Sequence, residues 1–247
     1  MRLLLFFIFS TLLINAQTVS VAVAANLSYV IKTLQKAYLK HHPKSKIEII
    51  LGSTGKLTAL IKNGAPYDIL MGADMAYPNT LYKDGFALKK PSIYARGSLI
   101  LFTKKERDLS VGVKKLTDPE IKKIAIANPQ IAPYGKASIE ALKNADILKS
   151  IKSKLIYAQS ASQAVTYTLK VADIGFIPKS TLYAPMMQHF QEGKNWINIP
   201  SKLYKPIEQG MTLLKHAKEN KDAQEFYNFL LSQEAKKIFK EFGYIVE

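Results

Sequence analysis

From residue 18 onward, apolar runs of strand length alternate with stretches whose apolar residues recur three and four positions apart. The runs predict strands at 18–25, 46–51, 67–72, 97–103, 123–127, 154–157, 173–177 and 195–199. The helical spacing predicts helices at 27–40, 55–63, 75–84, 117–121, 136–149, 161–170, 179–183, 208–218, 221–231 and 233–241. This alternation predicts an α/β architecture with mostly parallel sheets flanked by helices. No internal repeat and no low-complexity linker interrupts it. Two domains would therefore be joined by extended crossings, for which 92–98 and 191–200 are the candidates. A lobe at 95–197, inserted between those crossings, leaves 17–94 and 198–247 together as the other lobe. Ligands of open α/β sheets sit beyond the carboxyl ends of the strands, so two facing lobes make a cleft.

Four strand-to-helix turns carry the chemistry. The run Val19 to Ala25 ends at Asn26, and Leu27, Val30, Ile31, Leu34 and Tyr38 follow at helical spacing. The run Ile47 to Leu51 ends in Gly52-Ser53-Thr54-Gly55, followed by Leu57, Leu60 and Ile61. Within 95–197, Asn128 to Gly135 and Gln159 to Ser162 lie in the same relation to their strands. Asn, Ser and Thr favour helix starts because their side chains accept from backbone N–H groups that have no intrahelical partner. Two such starts from each lobe would aim N–H dipoles into the cleft, an arrangement suited to an anion. The predicted donors are these N–H groups and the side chains of Asn26, Thr54 and Ser53. The four windows contain no Asp or Glu. A site of donors alone favours a fully deprotonated tetrahedral anion, because a protonated one needs an acceptor for its own O–H. Sulfate, molybdate and tungstate meet that demand.

The start of the chain adds an address. Met1 to Ala16 has a basic residue, an apolar stretch and a small final residue, the pattern of an export signal cleaved after Ala16. Its apolar stretch is shorter than the roughly 18 residues of a membrane span. The 247 residues contain no cysteine, which excludes disulfides, thiolate metal sites, a cysteine nucleophile and a lipid-bearing cysteine. The expectation is a free periplasmic protein. Net charge is +16, with the lysines scattered rather than in blocks, so the excess fits a solvated basic surface that steers anions.

Other chemistries find little support. Gly52 to Lys56 lacks the four residues that a phosphate loop needs between its glycines, and Leu57 stands where Ser or Thr is required. His41, His42, His189 and His216 show no metal-ligand spacing. No Gly-x-Ser-x-Gly elbow occurs. Asp68 reads as a structural acceptor at a strand end, and Asp74 as the cap of the following helix. The tyrosines mostly occupy apolar helical positions, unlike a nucleic-acid surface. The expectation is a binding protein, not an enzyme, with no cofactor and no nucleic-acid partner.

The same turns carry a family resemblance. Val21 to Leu27, Gly52 to Leu57, Asn63 to Asp74, Ala127-Asn128-Pro129, Ala132 to Gly135, Ala172 to Phe176, Phe226-Tyr227 and Phe242 to Tyr244 resemble the periplasmic molybdate-binding proteins of ABC transporters, across essentially the whole mature chain. The resemblance implies a two-lobed periplasmic-binding-protein-like fold that captures molybdate or tungstate and delivers it, as a monomer, to a membrane permease. The oxyanion would be held by Asn26 with Ala25 beside it, by Ser53 and Thr54, by the backbone of Tyr134 and by that of Ala161. No direct metal-ion ligand is implied. Some members add a tyrosine hydroxyl where this chain has Pro178. The alternative is a carrier of the same fold for sulfate, iron or a small organic anion.

Overall fold

The structure is a computed structural model and describes residues 17–246. The leader predicted at 1–16 lies outside the described residues. The first sheet has the order β2-β1-β3-β10-β4. Its strands are β1 (Thr18–Ala24), β2 (Lys46–Gly52), β3 (Ile69–Met71), β4 (Ser92–Gly97) and β10 (Ile207–Leu213). The second has the order β7-β6-β8-β5-β9. Its strands are β5 (Leu99–Phe102), β6 (Ile124–Ala127), β7 (Leu155–Ala158), β8 (Ile174–Pro178) and β9 (Trp196–Asn198).

Helices cover both faces of each sheet because side chains alternate along a strand. In β1, Val19, Val21 and Val23 face a core built with α1 (Val30–His41), α7 (Lys221–Leu230) and α8 (Gln233–Glu241). Ala22 faces the opposite core, with Leu57 and Ile61 of α2 (Thr54–Lys62) and Leu81 of α3 (Ala76–Lys83). In β5, Leu99 and Leu101 face the core that holds Ala137, Ala141 and Leu142 of α4 (Pro133–Asn144) and Ile151 of α5 (Leu148–Ile151). Ile100 and Phe102 face Val165 of α6 (Ala161–Lys170).

Each sheet is mixed rather than mostly parallel. β1 pairs in parallel with β2 and β3, and β6 with β7 and β8. The pairings of β10 with β3 and β4, and of β5 with β8 and β9, are antiparallel. The antiparallel part of the first sheet depends on a segment predicted as helix. Met211, Leu214 and Ala217 have helical spacing, but 207–213 is a buried strand and only Lys215–Glu219 turns, as a 3-10 helix. Burial between β3 and β4 overrides the local period there. Within the extended crossing expected at 92–98, residues 92–97 form strand β4; 117–121, expected as a helix, is not α-helical. β4 belongs to the first sheet through Gly97, and β5 opens the second at Leu99. The chain therefore changes sheets across Ser98, and it returns between β9 and β10.

Candidate functional site

The carboxyl ends of β1, β2, β6 and β7 meet between the two sheets. Their turns line a cavity of about 10 Å³, measured as space open to the centre of a water molecule. Its walls are Ala24, Ala25, Asn26, Ser53, Thr54 and Ala73 on one side and Ala132, Pro133, Tyr134 and Ala161 on the other. All six residues singled out from the sequence (Ala25, Asn26, Ser53, Thr54, Tyr134 and Ala161) are thus brought to one place. Among the described residues, no charged side chain lines it.

Each turn presents backbone N–H groups for a local reason. After β1 the chain makes a short 3-10 turn, Ala25–Leu27, and α1 begins only at Val30. Asn26 therefore does not cap α1. Ser53 and Thr54 form the start of α2, where the first-turn amides precede any intrahelical acceptor. In α4, Pro133 has no N–H, and the amides of Gly135 and Lys136 both bond Ala132 O, at 2.9 and 3.1 Å. That leaves the Tyr134 amide at the cavity wall. The tight entry into α4 requires glycine at 135, where a Cβ would stand 2.1 Å from Ala127 O. Ala161 opens α6, capped by Ser160, whose side chain accepts from Gln163 N.

The side-chain donors differ from the expectation. Asn26 directs its amide nitrogen away, to Gln209 Oε1 at 3.0 Å and the Tyr244 hydroxyl at 3.3 Å. Both amide hydrogens are thereby committed, while Asn26 Oδ1, buried at the same wall, has no hydrogen-bond partner among the described residues. Thr54 Oγ1 accepts from Ala73 N at 3.0 Å, which ties α2 to the turn after β3. Ser53 Oγ is buried, caps no amide, and has no hydrogen-bond partner among the described residues, a condition it shares with Asn26 Oδ1 at the same wall and with Tyr38 OH and Arg107 Nε elsewhere. A native protein rarely leaves a buried hydroxyl unmatched, and at the cavity wall this one is available to a partner in the cavity. Pro178, standing where the resemblance implies a tyrosine, is buried in β8 and does not line the cavity.

Behind the cavity lies a buried polar network that sequence reasoning missed. Tyr94 OH lies 2.9 Å from Gln209 Oε1 and 2.7 Å from Gly72 O. Gln209 Nε2 donates to Tyr134 OH at 3.2 Å, and Tyr244 OH reaches Asn26 O at 2.9 Å and Ser180 Oγ at 3.0 Å. Burial pushes the phenols of Tyr94, Tyr134 and Tyr244 above the ordinary tyrosine range, because ionisation there would place a charge in a low-dielectric interior. The one available signal was a glutamine in the segment 207–213, obscured by the helical reading of that segment.

Asp68 is the structural acceptor that its position implied. Buried at the start of β3, it accepts from Ser20 N at 2.8 Å and pairs with His216 Nδ1 at 2.9 Å. Asp74 accepts from Tyr77 N at the start of α3. Among the described residues, no group of three or more His, Asp or Glu side chains is placed to hold a metal ion, and no helix is long and apolar enough to cross a membrane.

The family model for bacterial extracellular solute-binding proteins matches residues 19–245. A molybdate-binding protein of Azotobacter vinelandii is 32% identical over 232 residues, 93% of this chain and 90% of the relative. One from Rhodobacter capsulatus is 30% identical over 235 residues, 94% and 90% of the two chains. The solved periplasmic molybdate-binding protein of Azotobacter vinelandii superposes with a TM-score of 0.86 at 30% identity, covering 93% of this chain and 99% of that one.

Proposed function

The chain belongs to the bacterial extracellular solute-binding proteins, and from that premise we propose that it captures molybdate and hands it to an ABC transporter permease. Tungstate, of the same shape and charge, is a second ligand. The observation that carries this reading is the cavity itself: four N–H-bearing turns, no charged wall, and the buried unpartnered Ser53 hydroxyl. The two molybdate-binding relatives, similar over more than nine-tenths of this chain, support the choice among oxyanions.

The binding lobes follow the two sheets: 17–97 with the segment from β10 onward form one and 99–198 the other, so Ala95, Arg96 and Gly97, expected in the inserted lobe, belong with the first sheet. The anion is held by the amides of Ala25, Asn26, Ser53, Thr54, Tyr134 and Ala161 and by the hydroxyls of Ser53 and Thr54. Each hydrogen bond to an oxyanion contributes about 1.5–3 kcal/mol net, so several converging in a dry cavity bind tightly without a counter-charge. Capture would have the lobes part for entry and close around the guest, excluding water. Lys56 and Lys136, exposed on α2 and α4, raise the encounter rate with anions. The protein performs no chemistry. It works as a monomer in the periplasm, free of a lipid tether, since no cysteine is present to carry one.

Titration calorimetry of the purified protein with molybdate, tungstate, sulfate and phosphate tests this. Heat with the first two and none with phosphate is expected. Binding of sulfate alone, or of none of the four, overturns the assignment.

A further inference from the structure

Beyond the cavity wall, the two lobes meet in a second group of contacts. Gly55 donates its backbone N–H to Ile131 O at 3.0 Å. Tyr77, on α3, donates its hydroxyl to Gln130 O at 3.1 Å. Lys136, on α4, holds its ammonium 5.0 Å from the centre of the Tyr77 ring, within cation–π range. None of these residues lines the cavity.

Both sides of this contact are held by their own lobes. The segment carrying Gln130 and Ile131 is a turn built on Asn128. Asn128 Oδ1 accepts from Gln130 N at 2.9 Å, and its carbonyl accepts from Ala132 N at 2.9 Å. Tyr77 stands on the Asp74-capped first turn of α3. The approach is close: a Cβ at 55 would stand 2.7 Å from Tyr77 OH and 3.1 Å from Ile131 Cα, so a side chain there would crowd the contact. The backbone there is therefore fitted to the contact, and the contact forms only when the lobes are together.

We infer that Tyr77 is a positioning residue for capture: with Gly55, Gln130, Ile131 and Lys136 it forms a clasp that favours the closed arrangement without touching the ligand. A contact made only in the closed state shifts the open–closed equilibrium by its own free energy. The apparent affinity scales with the competent fraction, whatever the guest. The clasp therefore multiplies the affinity for every anion the cavity takes by one common factor. It slows release, and it leaves discrimination to the cavity wall.

The ligand titrations below rest on the oxyanion reading, whereas the distance measurement does not. The chain has no cysteine, so Lys83→Cys on α3 and Lys143→Cys on α4 accept spin labels selectively. In the ligand-free full chain, Tyr77→Phe should shift the interlabel distance distribution toward longer separations, and Lys136→Met should shift it in the same direction. By stopped flow, Tyr77→Phe should raise the molybdate and tungstate dissociation rates by one shared factor of about three to ten, the loss of one neutral hydrogen bond. Distance distributions identical to those of the parent would overturn the clasp. So would a changed ratio of molybdate to tungstate affinity, which would mean that Tyr77 reads the ligand. If the parent binds neither oxyanion but the distances still shift, the ligand assignment fails and the clasp stands.

Discussion

The Ser53 hydroxyl and the Asn26 side chain illustrate two ways a polar residue serves an anion site. Ser53 holds a hydroxyl in reserve, buried and unmatched. Ser53→Ala should therefore weaken molybdate binding about tenfold or more, the worth of one hydrogen bond to a charged group, with little change in thermal midpoint. Calorimetry alongside a melting curve separates the two. Asn26 supports the site from behind, through bonds to Gln209 and Tyr244. Asn26→Asp replaces both N–H donors with acceptors and sets a negative charge beside the anion. It should abolish molybdate binding and lower the melting temperature together. Retained affinity in that variant would place the ligand elsewhere.

At the scale of elements, the site depends on how closely helices start against strand ends. The α4 entry is the tightest, with Gly135 against the carbonyl of Ala127. That carbonyl is backbone within a sheet and has no flexible way to yield. Gly135→Ala should cost about 1–3 kcal/mol, as overpacking does, visible as a lower denaturant midpoint. It should also displace the Tyr134 amide and weaken oxyanion binding beyond what the stability loss accounts for. A binding isotherm taken well below the transition, where the variant is folded, checks the second part. Equal affinity would mean that Tyr134 N is not a ligand donor.

For the whole molecule, the buried phenols of Tyr94, Tyr134 and Tyr244 couple stability to pH. Burial raises each above the ordinary value of 10.0. A raised native pKa gives a contribution to stability that is complete below the unfolded value and declines as pH rises toward the native one. Stability from this source should therefore hold through neutral pH and fall above about pH 10, where unfolded tyrosines ionise but these cannot. Phenolate absorbance near 295 nm tests this: these three tyrosines should ionise only with global unfolding, while exposed ones ionise earlier. Independent, unfolding-free ionisation of all tyrosines would contradict the buried network.

What the sequence determined alone was local. Strands ending in small polar turns, and helices opening near Ser53–Thr54 and at Ala161, are set by nearest-neighbour geometry, alternation and capping preference, whereas α4 starts at Pro133, three residues before the helix expected from 136. Composition likewise fixed the absence of thiol chemistry. Only the tertiary structure decided what depends on distant partners. Residues 207–213 have helical spacing in isolation, yet burial between β3 and β4 makes them a strand. Asn26 has the composition of a cap, yet Gln209 and Tyr244, far away in the chain, turn its amide from the cavity. Spacing conveys which backbone groups are free, because that is settled within a turn or two. It does not convey which side chains are already bonded, because their partners arrive from elsewhere in the fold.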